Sequence, residues 1–171
     1  MIRYLFIILL ALNGLSVLQA SALVDKNSKE LNGSGSIRGG VAGPYMSLLD
    51  VRRSSDKKLK IERLVFDWGD KLLNKTASGG YYQLEYREKL NQLIISFALT
   101  LNTKFENSLL KEKLNNGLYI QNSNMEFDSA TQSIITTIQL KKNVKIKVID
   151  LKPHGTKSTA KLIIDLIGDL K

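Results

Sequence analysis

One imidazole and no thiol make a small kit for covalent chemistry: His154 is the only histidine and cysteine is absent. A nucleophilic hydrolase needs a base, an orienting carboxylate and an activated nucleophile, and the chain has no G-x-S-x-G turn to present the last of these. His154 lies in Lys152-Pro153-His154-Gly155, a turn sequence, and reads as an exposed loop histidine. A lone histidine without cysteine or an H-E-x-x-H segment also leaves a zinc site without ligands. The carboxylate pairs that could cleave a glycosidic bond are Asp67 with Asp70 and Asp165 with Asp169. Spacings that short also arise by accident along a strand or across a turn. The glycines from Gly33 to Gly40 precede no strand–helix unit, so no phosphate loop is expected. The expectation is a non-catalytic chain with no cofactor and no metal.

The charge is more informative. Lys and Arg number 25 against 16 Asp and Glu, a formal net charge of +9, which favours anionic partners. Lys141, Lys142, Lys145, Lys147 and Lys152 fall on one turn and one strand, and alternation puts Lys145 and Lys147 on one outward face. Two readings stand: lysines that keep a sheet edge from pairing, and a cationic strip for an anionic polymer. Trp68, Tyr82 and Tyr86 fall on apolar registers and read as core. Tyr81, beside Gly79-Gly80 and on the opposite face, is the surface candidate for stacking on a sugar ring.

Three kinds of segment must position these groups. Met1-Ile2-Arg3, the apolar run from Tyr4 to Leu12, the Asn13-Gly14 break and Ala20-Ser21-Ala22 follow the order of a cleaved secretory signal, assigned to residues 1–22. The apolar run is shorter than the ~20 residues a bilayer span needs, so no membrane span is expected after cleavage. Export in turn disfavours nucleic acid as a partner, and no exposed aromatic row suits base stacking. Residues 23–43 are rich in Gly, Ser and Asn and read as a flexible linker.

From residue 44 to 171 the hydrophobic period is close to two. Strands are expected at Met46–Arg52, Leu59–Trp68, Tyr81–Glu88, Gln92–Leu101, Leu118–Gln121, Met125–Asp128, Gln132–Leu140, Val144–Leu151 and Lys157–Ile167. Lys89-Leu90-Asn91 joins two of them as a hairpin. One helix is expected over Asn107–Leu114, capped by Asn107, with Leu109, Leu110 and Leu114 as its apolar stripe. Short strands at this spacing indicate an all-β fold with minor α, an antiparallel β-sandwich or flattened barrel with one short helical insert.

Two segments carry a family resemblance. Ile61-Glu62-Arg63-Leu64-Val65-Phe66-Asp67 and Lys161-Leu162-Ile163-Ile164-Asp165-Leu166-Ile167-Gly168 resemble the early and closing strands of the AMIN (amidase N-terminal) domain of bacterial envelope proteins. In order and spacing the similarity runs over most of residues 45–168. It implies a periplasmic or otherwise exported β-sandwich that docks onto peptidoglycan or an envelope protein. Within that reading the ligand-binding candidates are Arg63, Tyr81, Lys145 and Lys147. Arg63 and Asp67 project from the same side of one strand and could equally pair with each other. The alternative is a protein-interaction domain of an envelope assembly that adds a partner's strand to an open sheet edge.

Overall fold

The computed structural model describes residues 28–40, 46–70, 80–98, 106–152 and 159–168. The expected signal at 1–22, His154, Leu99, Leu101 and Asp169 lie outside them. The elements run β1 (Ser28–Leu31), β2 (Gly35–Gly39), β3 (Met46–Asp56), β4 (Ile61–Asp70), β5 (Tyr82–Arg87), β6 (Gln92–Phe97), α1 (Asn107–Leu114), β7 (Ile120–Asp128), β8 (Ser133–Leu140), β9 (Lys145–Leu151) and β10 (Ala160–Ile167). They form two five-stranded antiparallel sheets, ordered β1-β9-β10-β4-β3 and β2-β5-β6-β8-β7. This is the expected sandwich, with α1 as its one α-helix among the described residues.

The alternating rows meet between the sheets. Leu64, Phe66 and Trp68 of β4 and Leu162, Ile164 and Leu166 of β10 face Leu84, Leu93, Ile95 and Ile138 of the other sheet, all buried. Phe97 stacks obliquely on Trp68, with ring centroids 4.0 Å apart, and lies 5.5 Å from Phe66. Trp68, Tyr82 and Tyr86 are core residues, as their registers require.

Burial also sets an alkaline limit. Desolvation, with some help from the charge of Asp150, pushes the Tyr82 hydroxyl up from 10.0 to about 12. Tyr86 is raised as well, again chiefly by burial. The unfolded chain therefore loses these protons before the folded one, so stability holds below pH 10 and falls as pH rises from 10 towards 12. Denaturation midpoints measured across that range should drop steadily, and Tyr82→Phe should flatten part of the drop. An unchanged slope in that variant would show that Tyr82 contributes nothing to it.

The linker expectation needs correction. Within residues 23–43, Ser28–Leu31 pairs with β9 and Gly35–Gly39 pairs with β5, so this segment contributes one edge strand to each sheet. Ile37 is buried and Leu31 packs on the core. Gly39 is a close-packing glycine: a Cβ there would lie 2.4 Å from the Tyr82 hydroxyl, because the Tyr82 ring crosses the strand backbone. Composition alone missed this because glycine that lets a ring lie on a strand looks the same as glycine that loosens a tether.

Two other departures share one cause, the β-bulge. The strands expected at Leu118–Gln121 and Met125–Asp128 are one strand, Ile120–Asp128, whose register shifts between Ile120 and Asn122. The extra residue turns both Ile120 and Ser123 inward and interrupts the alternation. A shift between Leu48 and Asp50 does the same in β3, leaving Leu49 exposed. That strand runs on through Ser54-Ser55 to Asp56. Asp56 Oδ1 then accepts the backbone N–H groups of Lys58 and Leu59 to form the turn. In α1 the cap position is Glu106 and no side chain caps it. Asn107 instead accepts the Met125 N–H at 2.9 Å and donates to Asn124 at 2.7 Å, which fastens the helix to edge strand β7. Leu110 and Leu114 form the buried stripe, while Leu109 is exposed.

Candidate functional site

Arg63, Lys145 and Lys147 come together on the outer face of the first sheet. β4 carries Arg63, β9 carries both lysines, and β10 lies between them. The registers Ser54↔Arg63, Arg63↔Asp165, Asp165↔Lys147 and Lys147↔Glu30 place those five side chains in one row, and Lys145 lies one row further along, opposite Ile167. The row on the other side, Arg52, Val65, Ile163, Ile149 and Ser28, is largely apolar. Beyond it Asp67 lies opposite both Asp50 and Lys161.

Arg63 and Asp67 do not pair with each other. Arg63 donates from Nε and Nη2 to the two oxygens of Asp165, at 2.6 and 2.7 Å, a bidentate pair across neighbouring strands. These hydrogen bonds, and after them the charge of Asp165, hold the guanidinium above its usual pKa even though burial works the other way. Asp67 accepts from Arg52 Nε and Nη2 at 3.0 and 2.5 Å, from Lys161 Nζ at 2.9 Å and from Thr159 Oγ1 at 3.3 Å. Of the carboxylate pairs considered for glycoside cleavage, Asp67 and Asp165 are thus each occupied by cationic donors.

The β9 strip is interleaved with carboxylates. Lys145 Nζ lies 2.5 Å from Glu30 of β1, and Lys147 stands in register between Asp165 and Glu30. The carboxylate that pairs with Lys145 comes from β1, within the Gly-, Ser- and Asn-rich segment whose composition carries no strand signal.

Beside Arg63 the sheet face opens into a shallow cleft of about 270 Å³ lined by Ser54, Ser55, Asp56, Leu59, Ile61 and Arg63. Its walls combine two hydroxyls, a carboxylate, an apolar floor and a guanidinium whose side chain is 46% exposed. Asp165 occupies the Nε–Nη2 edge of Arg63, and Nη1 lies on the other side of the guanidinium from that pair. That set can hold a carboxylate flanked by hydroxyls or amides. Tyr81 is not part of it: it precedes β5 in the other sheet, half-buried, and its carbonyl accepts the Ala98 N–H at 3.1 Å. Sequence reasoning found Arg63 but missed the cleft. Arg63 and Asp165 stand 102 residues apart, and only the β4–β10 register joins them.

Among the described residues no group of three or more acidic or histidine side chains could hold a metal ion. No helix among them is long and apolar enough to cross a membrane. Comparison with protein-family models and with curated proteins finds no match for this chain.

Proposed function

We propose that this protein is an exported, non-catalytic binding module that docks onto peptidoglycan, or a comparable carboxylate-bearing polymer of the cell envelope, through the outer face of its β4–β10 sheet. The observation that carries the reading is the Arg63 guanidinium, oriented by Asp165 at the mouth of an open cleft with hydroxyl and apolar walls. A guanidinium already held by one carboxylate loses little rotamer freedom when it meets a second, so recognition is preorganised. The leader pattern and the AMIN-like segments around Arg63 and Asp165 support the same reading, with the periplasm as its compartment.

The test is retention of the isolated protein on purified sacculi at low salt. Wild type should be retained, and Arg63→Ala should weaken retention about tenfold. Arg63→Lys keeps the charge and the partner for Asp165 but loses the planar fork, so it should fall between the two. Equal retention of all three proteins removes the reading.

Strand addition to an edge finds less support. The edge strands β1 and β2 have only four and five residues. β3 is bulged and held by α1, where Arg53 donates to the Lys113 carbonyl and Lys113 pairs with Asp50. β7 gives its Met125 N–H to Asn107. Short, bulged and covered edges are how sheets avoid adding strands.

A further inference from the structure

One end of the sandwich carries a cationic surface that the Arg63 cleft does not account for. The β3–β4 turn supplies Lys57, Lys58 and Lys60, the β5–β6 turn supplies Lys89, and the β8–β9 turn supplies Lys141 and Lys142. Tyr119 joins the first and last of these. Its hydroxyl donates to the Lys60 carbonyl at 2.9 Å, its carbonyl accepts the Lys141 N–H at 2.8 Å, and Lys142 Nζ lies 5.3 Å above its ring. The β5–β6 turn closes the surface, with the Asn91 carbonyl accepting the Leu140 N–H at 2.7 Å and Asn143 donating to Glu88 at 3.4 Å. The three turns are therefore one contiguous cap.

Against those six lysines the same turns carry two acids, Asp56 and Glu88, and Asp56 is engaged by the backbone of its own turn. Two large apolar side chains project from this basic surface: Leu59, between Lys58 and Lys60, and Leu90, beside Lys89, each 59% exposed. Lys141 Nζ donates to the Gly117 carbonyl at 2.7 Å, while Lys57, Lys58, Lys89 and Lys142 are exposed. We infer that this end docks onto an anionic phospholipid bilayer, with those four exposed lysines on headgroup phosphates and the two leucines entering the interfacial zone. Charge complementarity selects an anionic partner. The leucines select a membrane among such partners, because a polyanion offers an apolar tip nothing to enter, whereas the boundary between headgroups and acyl chains does. The inference does not depend on sacculus binding and uses no part of Arg63.

The test is sedimentation of the protein isolated from cells with phosphatidylcholine vesicles and with phosphatidylglycerol-rich vesicles, read as the difference between the two. Any apolar contribution from elsewhere in the chain then cancels. Wild type should prefer the anionic vesicles and lose that preference as salt is raised, a measurement that needs no variant. K57E/K58E/K89E changes three exposed residues and should lower anionic partition by about 100-fold or more, at roughly fivefold per lysine. Leu90→Ser is the apolar probe, since Leu59 also lines the cleft, and it should weaken partition severalfold while leaving the salt dependence in place. The inference is overturned if wild type shows no preference for anionic vesicles, or if the triple variant partitions like wild type. It is equally overturned if Leu90→Ser has no effect and duplex DNA competes fully for binding, since the surface would then read charge alone.

Discussion

Glu62→Ala lowers the stability of the fold by about 3–5 kcal/mol. Glu62 belongs to the inward row of β4, with Leu64, Phe66 and Trp68, and its side chain is completely buried. It accepts the backbone N–H groups of Leu118, Tyr119 and Ile120 at 2.9, 2.7 and 3.3 Å. It also accepts Arg53 Nη1 at 3.1 Å, and Arg53 in turn donates to the Lys113 carbonyl near the end of α1. One carboxylate thus ties the first sheet to the start of β7 in the second and, through Arg53, to the helix. Alanine leaves three N–H groups and a largely buried guanidinium without their acceptor, each away from enough water to compensate. The midpoint of thermal unfolding should fall by about 10 °C or more. Gly117→Ala attacks the same clasp from outside, since its Cβ would stand 2.1 Å from Glu62 Oε1 and 2.6 Å from Arg53 Nη1. Denaturant curves of both variants are the measurement. A loss under about 1 kcal/mol for Glu62→Ala would falsify the claim that the clasp holds the sheets together.

Phe97→Ala should be of similar size, about 3–5 kcal/mol, by a different mechanism. Phe97 is buried where β6 faces β4, and its ring touches both Trp68 and Phe66. Truncation removes the ring's transfer free energy and leaves a cavity between two large rings that cannot close over it without rotating. The chain has a single tryptophan, Trp68, so its fluorescence reports this site directly. The folded variant should emit further to the red than wild type, and its unfolding midpoint should move to lower denaturant with little change in slope. Unshifted emission together with near-wild-type stability would mean that the two rings do not depend on each other. With total stabilities of domains near 5–15 kcal/mol, either substitution removes a large share.

These two effects differ in how far they could be read in advance. The Phe97 position follows from alternation in Gln92–Phe97, where Leu93, Ile95 and Phe97 are inward and buried. The same alternation also places Glu62 inside with Leu64, Phe66 and Trp68. A buried carboxylate is intelligible only once its partners are known, and they lie 56 to 58 residues further on. The candidate site divides in the same way. Arg63 could be picked out on its strand, but the meaning of Lys145 and Lys147 depended on Glu30, whose segment has too few apolar residues to signal a strand. That segment is ordered by backbone pairing with β9 and β5 and by the contacts of Leu31 and Ile37. Pairing energy of this kind leaves little trace in composition.

Hydrophobic alternation by itself determined the strand-rich fold, the main inward rows and the β5–β6 hairpin, because side-chain direction in a strand is a local property with a period of two. Tertiary structure alone decided which strands are neighbours, where bulges reset the alternation, and which charges pair. Arg63 with Asp165, Asp67 with Arg52 and Lys161, and Glu62 with the start of β7 are all set by registers between strands distant in sequence. Register is the outcome of many weak contacts summed across the whole sandwich, so no short segment encodes it.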